Sequence, residues 1–178
     1  MYRRDEIDSS HYPAFHQLEG VKLFDEVDME GASELKGEDW IASSECETIA
    51  ADLKGVLEGL MDHLFGETEK KWSDDYFPFT EPSYELEIKY QGEWLEVLGC
   101  GVMHEEVLEM AGRSERRGWA FGLGLERLAM ILFGIPDIRL FWTDDVRFTS
   151  QFTEGNIIKF EPYSKFPPRI QGHSLLGT

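Results

Sequence analysis

The sequence predicts an α+β domain, and three observations carry that expectation. Apolar residues recur at helical spacing from Ile49 to Phe65. Polar and apolar residues alternate from Tyr84 to Tyr90, and Gln91-Gly92 turns that run into a second strand-like stretch. No apolar run approaches the roughly 20 residues that cross a bilayer. The 178 residues suit one domain, or one domain with a short tail, and a composition 42% apolar and 29% charged excludes a disordered chain. With 35 acidic against 17 basic residues, the net charge is −18. The chain therefore lacks the overall basic footprint of a nucleic-acid binder, and any such contact must be local or come from other segments. Cys46 and Cys100 form neither a metal spacing nor a disulfide framework, which points to a reducing intracellular compartment. The first residues, Met1-Tyr2-Arg3-Arg4-Asp5, carry no signal-peptide pattern.

Taken in order, Tyr2–Asp5 reads as a short strand, Glu6–Ala14 as a turn-rich tip and Phe15–Phe24 as a second strand, together a hairpin. Alternate strand residues share a face, so Gln17 and Glu19 point together and Leu18 opposite. On pattern alone such a face is more often a solvated one. Residues 25 to 46 read as an acidic, irregular excursion. Ser44-Glu45-Cys46-Glu47 has the capping-box pattern, and Ile49, Leu53, Val56, Leu57, Leu60, Met61, Leu64 and Phe65 follow as the buried stripe of a core helix that Gly66 stops.

Trp72–Pro82 is an aromatic stretch broken by Pro78, and Tyr84–Tyr90 a half-buried strand. Glu93–Val102 is a strand whose segment Trp94-Leu95-Glu96-Val97-Leu98 reads as buried on both faces. A buried carboxylate must be paired, protonated or bound to a cation, so Glu96 stands out either as a site residue or as half of a structural ion pair. Gly118–Arg127 reads as a strand running into a helix. There Gly122 and Gly124 permit close backbone approach, whether for packing or for a ligand, and Arg127 sits among apolar neighbours and needs an anionic partner. Thr143-Asp144-Asp145 reads as a helix cap, and beyond Phe152 the pattern fades toward Phe166-Pro167-Pro168.

Several of these segments together resemble one family. Tyr2-Arg3-Arg4-Asp5 with Phe15-His16-Gln17-Leu18-Glu19-Gly20 resembles motif 2 of a class II aminoacyl-tRNA synthetase of the phenylalanine type. Phe77-Pro78-Phe79-Thr80-Glu81-Pro82-Ser83 resembles its phenylalanine-pocket segment, Trp94–Gly101 its next active-site strand, and Gly122-Leu123-Gly124-Leu125-Glu126-Arg127 its motif 3. Ile135–Trp142 extends the match, and the version is most similar to the single-chain mitochondrial form.

The resemblance implies a mostly antiparallel sheet flanked by helices and a two-step reaction. Phenylalanine carboxylate attacks the ATP α-phosphate, and the phenylalanyl group then passes to tRNA(Phe). By resemblance Arg3 bridges carboxylate and α-phosphate and Arg127 holds the distal phosphates, the two catalytic arginines. Ser10, His11, Tyr12, Glu96 and Gly124 join them around ATP, with Mg²⁺ at Glu96 and, from two-subunit relatives, at Glu81. Gln17 and Glu19 hold the α-amino group, while Phe77, Phe79, Ala120 and Phe121 line the aromatic slot, Ala120 closing its far end.

The same resemblance implies that residues 1–150 are the C-terminal part of a catalytic domain, from motif 2 to motif 3, and that 151–178 form a tail or linker toward an anticodon-binding domain. It implies a mitochondrial matrix protein whose transit peptide lies outside this chain, monomeric in full-length form and without a membrane partner. Two readings stay open: a working catalytic module, and a synthetase-like remnant that binds or regulates without turnover.

Overall fold

In the computed structural model, residues 1–4, 6–25, 35–90 and 92–164 are described. Asp5, Gln91, residues 26–34 of the acidic excursion and Phe166-Pro167-Pro168 lie outside them. The α+β expectation holds. Strands β1 (Gln17–Phe24), β2 (Lys70–Phe77), β3 (Thr80–Tyr90), β4 (Glu93–Met103) and β5 (Arg117–Gly124) form one sheet. Its order is β1-β5-β4-β3-β2 and every pairing is antiparallel.

Helix α1 (Gly37–Ile41) precedes α2 (Ser44–Phe65), which lies across β4 and β5. α2 forms where periodicity predicts it, and Cys46, Ile49, Leu53, Leu57 and Met61 are its buried stripe. Val56 is half exposed on the far side. The cap is one residue earlier than the capping-box pattern suggests, because Ser43 Oγ accepts from the Cys46 N–H at 3.2 Å. Gly66 ends the helix at φ 74°, where a side chain would be strained.

Against α2 the sheet presents Leu86 and Ile88 of β3, Leu98, Cys100 and Val102 of β4, and Trp119 and Leu123 of β5, all buried. Burial pushes the thiol of Cys46 up to about 11 and that of Cys100 to about 12, so both cysteines are packing residues, not nucleophiles.

Three elements differ from expectation. The stretch 25–46, read as irregular, contains helix α1, where Trp40 is buried against the core, and the start of α2. The aromatic stretch is part of strand β2 plus a tight turn at Pro78, and β3 starts at Thr80. A register shift between Thr80 and Ser83 accommodates Pro82, which has no N–H to give the ladder. At the N-terminus the expected strand reduces to one bridge, Tyr2 with Ala14, supported by Arg3 N–H to Pro13 carbonyl at 2.9 Å.

Beyond β5, α3 (Glu105–Met110) having intervened, the chain forms α4 (Leu125–Phe133), a short 3₁₀ helix (Ile138–Trp142) and α5 (Val146–Thr149), for which Asp145 is the cap. Residues after Asn156 run extended against α4: the Phe160 N–H donates to the Phe133 carbonyl at 2.7 Å, and Lys159 Nζ donates to the Leu132 carbonyl at 2.7 Å. No helix of the described residues is long and apolar enough to cross a membrane.

Candidate active site

Strand pairing assigns each β5 side chain to a face. Trp119, Phe121 and Leu123 pair with Val102, Cys100 and Leu98 and face α2, whereas Ala120 and Gly122 pair with Gly101 and Gly99 and face away. On β1, Gln17, Glu19 and Val21 pair with Gly124, Gly122 and Ala120 and share that second face. Small residues in the centre of this face leave it hollow. A cavity of about 530 Å³ results, walled by the N-terminal hairpin, the Phe77–Phe79 turn, β4 and the start of α4.

Arg3, Ser10, His11, Tyr12, Gln17, Glu19, Phe77, Phe79, Glu96, Ala120, Phe121, Gly124 and Arg127 all line this cavity. Glu81 does not. It lies at the start of β3, with its carboxylate 3.3 Å from His104 Nε2, beside a separate hollow.

Each group is held by its surroundings. Asp8 anchors the hairpin tip: it accepts from the N–H groups of Ser10 at 2.7 Å and His11 at 2.8 Å. The Ser10 N–H first, then the His11 ring, hold its carboxyl well below the usual carboxylate range. Arg3 lays its guanidinium 5.2 Å from the Phe15 ring. The rings of Phe77 and Phe79 stack at 6.0 Å, with Phe77 filling the space where a side chain on Gly99 would be. Gln17 lies over Gly122: a Cβ there would come within 2.6 Å of Gln17 Nε2. Among the described residues Gln17 Oε1 is buried without a hydrogen-bond partner.

Two expectations need correction. Glu96 is not buried: its side chain is 46% exposed, because a register shift between Leu86 and Glu87 pairs it with Glu87 and turns it to the cavity face, away from α2. Its carboxylate meets the anionic need of Arg127, with Nη1 to Oε2 at 3.1 Å and a second bond to the Glu96 carbonyl at 3.1 Å. Phe121 borders the cavity, yet its ring turns to the α2 face, 6.1 Å from Trp119 and over Gly20.

Two carboxylates that the sequence reading passed over also line the cavity. Glu85 faces it from β3, and burial first, then the charges of Glu96 and Asp75, push its carboxyl up to about 7. Its place in the alternation of β3 made it look like one more solvated charge. Glu126 is 5% exposed and accepts from the His16 N–H at 2.9 Å and from the His16 ring at 2.6 Å. The signal available for it was a carboxylate beside Arg127 at the start of a mostly apolar helical run.

Comparison with known proteins places this geometry. Residues 41–152 match the family model described as tRNA synthetases class II core domain (F). The chain is 56% identical over 171 residues to the chloroplastic/mitochondrial phenylalanine–tRNA ligase of Arabidopsis thaliana, covering 94% of this chain and 37% of that protein. It is 50% identical to the mitochondrial enzyme of Mus musculus, over 94% of this chain and 41% of the relative. For the mitochondrial enzyme of Saccharomyces cerevisiae the identity is 37%, over 94% and 48%. The chain thus spans less than half the length of these relatives.

Proposed function

This chain belongs to the family of class II tRNA synthetase core domains (F), and on that premise we propose that its cavity activates phenylalanine with ATP for transfer to tRNA(Phe) in the mitochondrial matrix. The observation that carries the reading is the orphaned Gln17 Oε1. A buried acceptor without a donor is costly, and it sits on the same strand face as the Glu19 carboxylate. An ammonium group satisfies both, because it brings three donors and a positive charge. The phenyl ring then lies between the Phe77–Phe79 stack and Ala120, with edge or offset ring contacts worth about 0.5–1.5 kcal/mol each.

The chemistry asks mainly for positioning and charge neutralisation. The substrate carboxylate attacks the α-phosphate and pyrophosphate leaves. Arg3 bridges the carboxylate and the α-phosphate, and its fork stabilises the charge that builds there. Arg127 exchanges Glu96 for the distal phosphates, while Ser10, His11 and Tyr12 wall the nucleotide from the hairpin side. Among the described residues no three His, Cys, Asp or Glu side chains are placed to hold a metal alone. Glu96 and Glu85 line the cavity as neighbouring carboxylates, and this pair suits Mg²⁺, which takes one or two carboxylates and completes its shell with phosphate oxygens and water. Glu96 would hold it, and when bound it supplies neutralisation of the phosphate charge. The transfer step and a monomeric state belong to the longer protein.

The test is phenylalanine-dependent ATP–pyrophosphate exchange by the purified protein. We expect exchange in the wild type and a loss of tenfold or more in kcat/KM for phenylalanine in Gln17→Ala, with the KM for ATP held. Exchange indifferent to phenylalanine, or to Gln17, contradicts the reading. Phenylalanine binding without exchange identifies the non-catalytic alternative.

A further inference from the structure

At the corner where β5 turns into α4, residue 16 and residues 125–126 are bonded in both directions. The His16 N–H donates to both oxygens of Glu126 at 2.9 Å, and the His16 carbonyl accepts from the Leu125 N–H at 3.0 Å. The His16 ring adds a third donor to Glu126 at 2.6 Å and stacks on Trp142 at 5.7 Å. This carboxylate is 5% exposed and spends its lone pairs on one distant residue, just before β1, which a cap or a surface ion pair does not do.

The neighbours of the two locked residues explain the cost of burying it. Gln17 follows His16, and Arg127 follows Glu126. We infer that Glu126 is a positioning residue that fixes Gln17, at the amino-acid end of the cavity, relative to Arg127, at the phosphate end. It touches neither substrate. The inference rests on reading the cavity as a phenylalanine and ATP site. Adenylate formation joins two substrates held by different elements, and small errors in that relation cost rate steeply. A lock that holds the His16 backbone from both sides, by one bond from the Leu125 backbone and two to a buried carboxylate, sets the spacing more tightly than packing alone.

The test compares Glu126→Ala, Glu126→Gln and His16→Ala in the purified protein, reading exchange kcat, the KM of each substrate and the melting temperature. Glu126→Ala frees the His16 N–H and should lower kcat on the order of 10²-fold, with each KM within about threefold. Glu126→Gln keeps one carbonyl for that N–H but turns an amide toward the ring, and should lower kcat about tenfold. It also carries the test where the alanine variant fails to fold. His16→Ala keeps every backbone bond and should stay within about threefold of wild type. A purely structural Glu126 would instead lower the melting temperature and leave kcat and KM of the folded protein alone. Wild-type kinetics in a folded Glu126→Gln variant, or a His16→Ala loss as deep as that of Glu126→Ala, overturns the inference. Wild-type protein without phenylalanine-dependent exchange overturns the functional reading, and this inference with it. Active wild type with unaltered Glu126 variants overturns this inference alone.

Discussion

The two faces of one sheet are built to opposite rules. Toward α2, the centre of the sheet carries Leu98, Cys100, Trp119 and Leu123, each 5% exposed or less. Charge on that side is largely held by protein atoms: Lys22 and Asp52 meet at 2.8 Å, Trp119 Nε1 donates to Asp52 at 2.7 Å, and the buried Arg117 donates to the Leu35 carbonyl at 3.1 Å and lies over the Trp40 ring, with its Nε alone left without a partner among the described residues. Toward the cavity, the same strands carry Gly99, Ala120 and Gly122, with an orphaned amide oxygen and like charges left close together. One face supplies stability from its own atoms. The other, among the described residues, leaves a buried polar atom unsatisfied beside a hollow, the kind of group a polar ligand repairs.

The largest expected effect separates the faces by size. Leu53→Ala, at a fully buried position on α2, should cost about 2–5 kcal/mol and lower the melting temperature by roughly 4–20 °C. Phe79→Ala, on the cavity side and 52% exposed, should cost about 1 kcal/mol or less yet weaken phenylalanine binding about tenfold. Thermal melts and calorimetry read the two. Equal losses of stability would erase the distinction.

A smaller effect concerns selectivity. Ala120 points into the cavity from β5, so Ala120→Gly deepens the slot by one methyl. Para-chlorophenylalanine should then gain on phenylalanine in adenylate formation, at a stability cost of about 1 kcal/mol. An unchanged ratio would put the far end of the slot elsewhere.

The smallest effect is in pH, and the two faces should carry opposite signs. Burial raises the Asp52 carboxyl, but the bonds from Lys22 and Trp119 outweigh it and leave the group below its ordinary value. Its contribution is therefore whole above the usual carboxylate range and is lost as pH falls through the lowered value. Asp52→Asn should cost about 2 °C at pH 7, with the gap closing in acid. Glu85, raised from an ordinary 4.5 to about 7, binds a proton in the folded state that the unfolded chain has released. Stability should fall as pH rises between those values, and Glu85→Gln should gain on wild type at pH 8 relative to pH 5. Melts across that range decide both signs.

The helix-bearing side was the more legible in sequence. Periodicity located α2 and alternation located β3, because burial against a continuous layer imposes a period, while β4 was located by its near-continuous apolar run after the Gln91-Gly92 turn. β2 escaped: Lys70, Lys71, Ser73, Asp74 and Asp75 show no apolar rhythm in a strand that lies mostly in solvent. The motif resemblance named residues that the fold gathers at one cavity, but motifs quote neighbours, and neighbours on a strand face opposite ways. Hence Ala120 and Phe121 were grouped although their side chains part. Glu96 was misread because a run of apolar neighbours hides the register shift that turns it to the cavity face. Glu126 left little trace, since its partner is 110 residues away in the chain.

The central claim is that the glycine-floored face is shaped for a phenylalanine ammonium held by Gln17. The most direct measurement is phenylalanine affinity by calorimetry in Gly122→Ala. The added Cβ would come within 2.6 Å of Gln17 Nε2, the free end of a flexible side chain, so the fold should absorb it while Gln17 is displaced. The account predicts a melting temperature within about 3 °C of wild type and a Kd for phenylalanine raised tenfold or more. A folded Gly122→Ala protein that binds phenylalanine as the wild type does would contradict it.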